Sequence, residues 1–226
     1  MHRHATSDTH VQVPAGSVFL VADLIIPQDA KGLVLFAHGS GSGRQSPRNR
    51  FVADILNQHS LAIVLLDLLT PDEEAIDERT RHLRFDIPML ARRLVFAADW
   101  LNDHEPTAGL PIGLFGASTG AGAALIVAAQ RPQLIKAVVS RGGRPDLAGE
   151  ALPHVRCPTL LIVGGADSVV IGLNRDAMLH MRAITRLEVI PGASHLFEEP
   201  GALERVSALA AEWFEMSMCG ADELER

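Results

Sequence analysis

The sequence predicts an α/β fold: one mostly parallel central sheet with helices on both faces and an antiparallel hairpin at its N-terminal edge. Three observations predict it. Short apolar runs such as Gly32 to Ala37 (GLVLFA) and Leu61 to Leu66 (LAIVLL) are too short for a stable helix and lack a wet face, as expected of strands buried on both sides. Between such runs lie stretches whose apolar residues recur at helical spacing, and alternating strands and helices build parallel crossovers. The chain has 226 residues, 47% of them hydrophobic, which suits one domain over residues 1–226 with loose ends at 1–10 and 217–226.

Taken in order, Val11 to Pro27 reads as two short strands around Pro14-Ala15-Gly16-Ser17, a hairpin at the sheet edge. The strand Gly32 to Ala37 ends in His38-Gly39-Ser40-Gly41-Ser42-Gly43, too glycine-rich for regular structure. Ser46-Pro47 starts a helix, with serine as cap and proline at the first position, and Phe51, Val52, Ile55 and Leu56 form its apolar stripe. Leu61 to Leu66 is the next strand, closing at Asp67. Thr70 to Arg84 is charged and unpatterned, and is expected to be a surface loop with at most a short helical turn. Asp86 caps a long helix through about Asn102, on which Leu90, Leu94, Ala97, Ala98 and Leu101 repeat.

Pro111 to Phe115 is then a buried strand and Ala121 to Ala129 a helix of good formers. Ala137 to Val139 is a strand leading to Ser140-Arg141-Gly142-Gly143, and Thr159 to Val163 another, ending at Gly164-Gly165-Ala166-Asp167. A helix over about Asn174 to Met181, a strand over Leu187 to Ile190, the loop Gly192-Ala193-Ser194-His195 and an amphipathic helix over Pro200 to Phe214 complete the chain.

Composition excludes several classes of function. A net charge of −7 leaves no basic footprint for nucleic acid or an anionic membrane. The N-terminus lacks the apolar core of a signal peptide and no run is long enough to span a bilayer, so a cytoplasmic location is expected. Two cysteines, Cys157 and Cys219, make no disulfide framework, and Cys157 is expected as a small core residue. With no tyrosine, no mechanism can use a tyrosine acid or oxyanion donor. His2, His4 and His10 are read as a polar end and not as a metal site. No HExxH, CxxC or phosphate-cradling glycine pattern is present, so neither metal nor cofactor is expected.

Gly116-Ala117-Ser118-Thr119-Gly120 is a G-x-S-x-G sequence set between a strand and a helix. The chain must reverse there within about two residues, which demands small neighbours and exposes the serine above a helix N-terminus. Serine is a poor nucleophile at neutral pH and needs a base, and a histidine base needs a carboxylate to fix its tautomer. Ser118, Asp167 and His195 meet this need, each following its own strand, where ligands of parallel sheets bind. Asp167 alone reads more readily as a helix or turn cap, and its joint placement with Ser118 and His195 favours the acid, with Asp146 as the fallback. His59, His82, His104 and His180 fall in helices or exposed segments. Thr119 N–H and Ser40 N–H are the expected oxyanion donors, worth about 3 kcal/mol each in a transition state. Arg141, on the same rim, and Arg44 are candidates for binding a substrate anion as a fork.

These motifs resemble the α/β-hydrolases, in particular the small, lid-free dienelactone hydrolase-like branch. The resemblance runs from about Gly32 to Phe214 and rests on HGSGSG, GASTG, GGAD and GASH as they stand at 38–43, 116–120, 164–167 and 192–195. It implies Ser118, Asp167 and His195 as nucleophile, acid and base, with Thr119 and Ser40 donating to the oxyanion. True dienelactone hydrolases carry a cysteine where this chain has Ser118, so the resemblance points to ordinary ester chemistry on a small-molecule ester. The short segment from Gly143 to Thr159, where larger relatives insert a cap, implies an open site. Acyl transfer or perhydrolysis with the same triad, and a non-catalytic binding module, stay open as alternatives, as does the oligomeric state.

Overall fold

The computed structural model describes residues 6–219. Eight strands form one sheet in the order β1-β2-β4-β3-β5-β6-β7-β8. β1 (Thr6–Ala15) and β2 (Val18–Pro27) make the antiparallel hairpin, β2 runs antiparallel to β4 (Leu61–Leu66), and all other pairs are parallel. β3 (Gly32–Ala37), β4, β5 (Ile112–Ala117) and β7 (Thr159–Gly164) are buried along their whole length, matching their unbroken apolar sequences. β6 (Ile135–Arg141) is buried apart from Lys136, and β8 (Thr185–Ile190) is the half-exposed edge.

Two layers of core flank the sheet. On one face α1 (Pro47–Gln58) and α6 (Ala202–Phe214) bury Val52, Leu56, Val206 and Phe214 against Val34, Phe36, Phe115 and Val139. On the other, α3 (Ile87–Asp103) and α4 (Thr119–Gln130) bury Leu94, Leu101, Leu125 and Val127 against Leu35, Val64, Leu114 and Val138. Neighbouring residues of β3 go to opposite layers, Val34 to one and Leu35 to the other, as the two-residue period of a strand requires.

Four expectations are corrected. Residues 71–84 are not a loop: α2 (Pro71–Thr80) and a 3-10 turn (Leu83–Phe85) occupy them. α2 has no apolar stripe, so its stability lies in its ends and partners. Thr70 and Glu73 form a reciprocal capping box, Asp72, Glu73 and Glu74 oppose the helix dipole, and Arg93 of α3 donates to both Glu73 and the Leu68 carbonyl. Next, α5 (Ser168–Met178) begins directly after Asp167 and not at Asn174, because Asp167 caps it. Third, β1 begins at Thr6, so residues 6–10 are no loose end: a polar edge strand is held by backbone pairing, from Thr6 opposite Pro27 to His10 opposite Asp23. Last, the C-terminal helix continues as a π-helical turn, Glu215–Cys219, past the expected loose boundary at 217. His2, His4 and the tail beyond Cys219 lie outside the described residues. The 143–158 connection is a 3-10 segment (Pro145–His154) broken at Gly149, and no cap domain is inserted there.

Candidate active site

The first crossover leaves β3 for β4 on one side, and the chain then returns to place β5 on the other side of β3. The strand order therefore reverses between β3 and β5, which opens a crevice at their carboxyl ends. Ala37 pairs with Gly116 and Ala117 with Arg141, so the loops after β3, β5 and β6 leave the sheet side by side.

Ser118 stands in that crevice with φ 49° and ψ −121°, a region that L-residues rarely occupy. The turn is held on both sides: Ser118 N–H donates to the Arg141 carbonyl at 3.2 Å and its carbonyl accepts from Arg144 N–H at 3.0 Å. The spacing of the motif has a steric cause. A Cβ at Gly116 would lie 2.4 Å from Ala121 Cα, and one at Gly120 would lie 2.2 Å from the Ala37 carbonyl oxygen, so α4 fits over β3 and β5 only with glycine at both positions. Gly39 of the loop after β3 also comes close, its missing Cβ falling 3.1 Å from Ser118 Cβ.

His195 Nδ1 and Asp167 Oδ2 are 2.7 Å apart. An ionised carboxylate only accepts, so Nδ1 carries the proton and Nε2 is left with a free lone pair. Asp167 serves two partners with separate oxygens, since its Oδ1 accepts from Val170 N–H at 3.3 Å as the cap of α5. The cap and acid readings of this residue are compatible. Neighbours on both sides hold His195 in place. Phe197, fully buried with φ 56°, anchors the loop in the core, and Ser194 donates from backbone and side chain to Glu199, keeping that carboxyl below its ordinary pKa. The ring lies across Gly142, whose missing Cβ would be 3.5 Å from His195 Cε1. Among the described hydrogen bonds none yet joins His195 to Ser118, a link that in unliganded enzymes often tightens only with substrate.

The loop after β3 is clamped from below. His38 Nδ1–H donates to the Gly39 carbonyl at 2.9 Å while Nε2 accepts from Leu68 N–H at 3.0 Å, so the neutral ring is fully used. Burial pushes its pKa below the usual histidine value. Gly43 lies against Asp67, which accepts from Arg44 N–H at 2.7 Å. The two expected oxyanion donors stand differently. Thr119 N–H opens the helix and has no partner among the described residues, whereas Ser40 N–H donates to Thr119 Oγ1 at 3.0 Å. The Ser40 amide must exchange that partner for any oxyanion, so the two-donor arrangement read from the sequence is not assembled in this state.

Asp146 is committed to Arg144 through two contacts of 2.7 and 2.8 Å, which removes it as the fallback acid. Arg44 is committed to Asp23 and Asp67, and Asp23 also takes Arg50 and, at 2.7 Å, His10. Arg141 is nearly buried on the rim next to Ser118. Arg48, in the first turn of α1, is its cationic neighbour. Arg48 carries no motif, and only the Ser46-Pro47 helix start hints at its position on the rim. No His, Cys, Asp or Glu group among the described residues is arranged to hold a metal.

A model of the dienelactone hydrolase family matches residues 51–217. The chain belongs to the dienelactone hydrolase family. It is similar to a crystal structure of a dienelactone hydrolase from Anabaena variabilis ATCC 29413, at 60% identity over 95% of this chain and all of that one, with a TM-score of 0.94. Two Mycobacterium tuberculosis proteins that carry the name "Putative phosphoribosyl transferase" are 54% identical over 94% of the chain. The chain spans about half the length of these relatives, 47%. Est1E from Butyrivibrio proteoclasticus, at 16% identity and a TM-score of 0.76 over 93% of this chain and 99% of that one, shares the fold. Membership makes this chain a hydrolase-family α/β protein, and no helix among the described residues is long and apolar enough to cross a membrane.

Proposed function

We propose that this protein is a serine hydrolase of small carboxylic esters, working through an acyl-enzyme on Ser118. One observation carries the reading: a serine held in strained backbone at a helix N-terminus shares a rim with a histidine whose tautomer is set by a carboxylate 2.7 Å away. Strain of this kind, of order 1–3 kcal/mol, persists where function repays it.

In this reading His195 Nε2 takes the Ser118 proton as the hydroxyl oxygen attacks the ester carbonyl. Asp167 stabilises the imidazolium that forms. The oxyanion is met by Thr119 N–H, favoured by the positive end of α4, and by Ser40 N–H once it has left Thr119 Oγ1. His195 then returns the proton to the leaving alcohol, the ester C–O bond breaks, and water activated by the same nitrogen releases the acid. The phosphoribosyl transfer in the mycobacterial relatives' name belongs to proteins about twice as long as this chain. It is not part of this proposal.

The test is intact mass after exposure to a fluorophosphonate, beside Ser118→Ala. A single adduct on the wild type that is missing from the variant is expected. No adduct on folded wild-type protein, or an adduct that survives in Ser118→Ala, would overturn the mechanism.

A further inference from the structure

β8 closes the sheet at one edge, and no strand among the described residues pairs with its open side. Unpaired amides and carbonyls on an edge invite another strand, so edges are commonly blunted by proline, a bulge or an uncompensated charge. The opposite edge strand, β1, contains Pro14. β8 has neither proline nor a break in its register from Thr185 to Ile190, and its two charges, Arg186 and Glu188, neutralise each other at 2.6 Å. It also leaves apolar surface in water: Ile184, directly before it, is 75% exposed, and Val189 is 38% exposed.

The segment Ile184-Thr185-Arg186-Leu187-Glu188-Val189-Ile190 is a palindrome in chemical type. Isoleucine stands at both ends, two β-branched residues of similar shape come next, and a cation and an anion flank the central leucine. Hydrogen bonding fixes which residues face outward. The carbonyls of Ile184 and Ile190 accept from Thr159 and Gly165 N–H at 2.8 Å, so the even-numbered residues turn their backbone groups to β7. Alternation then turns the N–H and C=O of Thr185, Leu187 and Val189 to the open edge. A second β8 laid antiparallel about Leu187 meets all of them: Thr185 bonds with Val189 of the second copy, Leu187 with Leu187, and Val189 with Thr185. The pairs between are of the close, non-hydrogen-bonded kind, Arg186 opposite Glu188 and Ile184 opposite Ile190. Moving the axis one residue either way sets Arg186 against Arg186 or Glu188 against Glu188, so charge selects the register centred on Leu187.

We propose that this edge is an interface between two copies of the chain, joined by antiparallel pairing of β8 about Leu187 into one continuous sheet. The contact is isologous: each copy sets its Arg186 on the other's Glu188, and the two ion pairs are identical. Antiparallel pairing points the carboxyl ends of the two sheets in opposite directions, so each candidate active site stays open. The loop that bears His195 leaves the end of β8 directly, and the pairing fastens the strand from which it hangs. The inference does not depend on the esterase reading.

Sedimentation velocity over a range of concentrations tests it. Wild type should show a species of twice the chain's mass that grows with concentration. Leu187→Pro removes an outward N–H and none that serves β7, so it should keep the wild-type circular dichroism and lose the dimer. Arg186→Glu and Glu188→Arg each oppose like charges at both pairs, and each should weaken dimerisation about 10- to 100-fold. Mixed together, these two variants regain opposite charges at both pairs, and a mixed dimer of wild-type strength should form. Repaired folding is no explanation for that rescue, because neither chain has regained its own ion pair. If Leu187→Pro fails to fold, the mixture decides. A wild type that is monomeric at every concentration, a dimer that persists in folded Leu187→Pro, or a mixture no stronger than its components overturns the interface.

Discussion

Asp167 divides its two oxygens between a helix and a histidine, and this makes a prediction that an ordinary cap would not. In Asp167→Asn an acceptor remains for Val170 N–H, but the amide does not hold the His195 tautomer. Turnover should fall by about 10⁴ in kcat while the unfolding free energy changes by less than ~1 kcal/mol. Steady-state kinetics and denaturant unfolding on the same variant check both halves. His38 makes a prediction of another kind. Its folded pKa lies below the ordinary value, so the unfolded chain binds the proton more readily. Its contribution to stability is complete above about pH 6.5 and is lost as the pH falls below that. Wild type should therefore lose Tm more steeply than His38→Gln between pH 7 and 5, and parallel curves would refute the neutral clamp.

At the scale of elements, α2 shows what a helix without an apolar face depends on. Glu73 closes the capping box and neutralises the nearly buried Arg93, whose hydrogen bond holds the Glu73 carboxyl below its ordinary pKa. Glu73→Gln should cost about 1–3 kcal/mol by replacing the charged, two-oxygen partner of Arg93 with one neutral acceptor, and Thr70→Ala about 1 kcal/mol by removing the cap alone. Urea unfolding of the two variants separates the contributions. α2 is illegible in the sequence for the same reason, because Arg93 lies twenty positions beyond Glu73 and no local pattern links them. The buried strands and the long helix α3 are legible because their signals are local, unbroken apolar runs and an Asp cap before a helical repeat. The start of α5 is hidden because Asp167 has two duties to serve, and the start of β1 because its first residues are polar and its hold is backbone pairing.

Over the whole molecule, the candidate site residues lie at the carboxyl ends of β3, β5, β6, β7 and β8, and the core layers lie beneath them. That separation is why the candidate triad can be read from turn sequences while the surroundings of Arg141 cannot. A G-x-S-x-G or GGAD turn announces its geometry in the residues themselves, but the isolation of a guanidinium depends on which side chains fail to reach it. The short 143–158 connection has a consequence for the fate of an acyl group. Enzymes that pass acyl groups to chosen acceptors keep solvent out while the intermediate waits. With His195 and Ser118 only half-buried and no inserted domain above them, an acyl group carried on Ser118 would face bulk solvent throughout its lifetime. Water, always the most abundant acceptor, would then decide its fate, and an added alcohol would compete only by mass action.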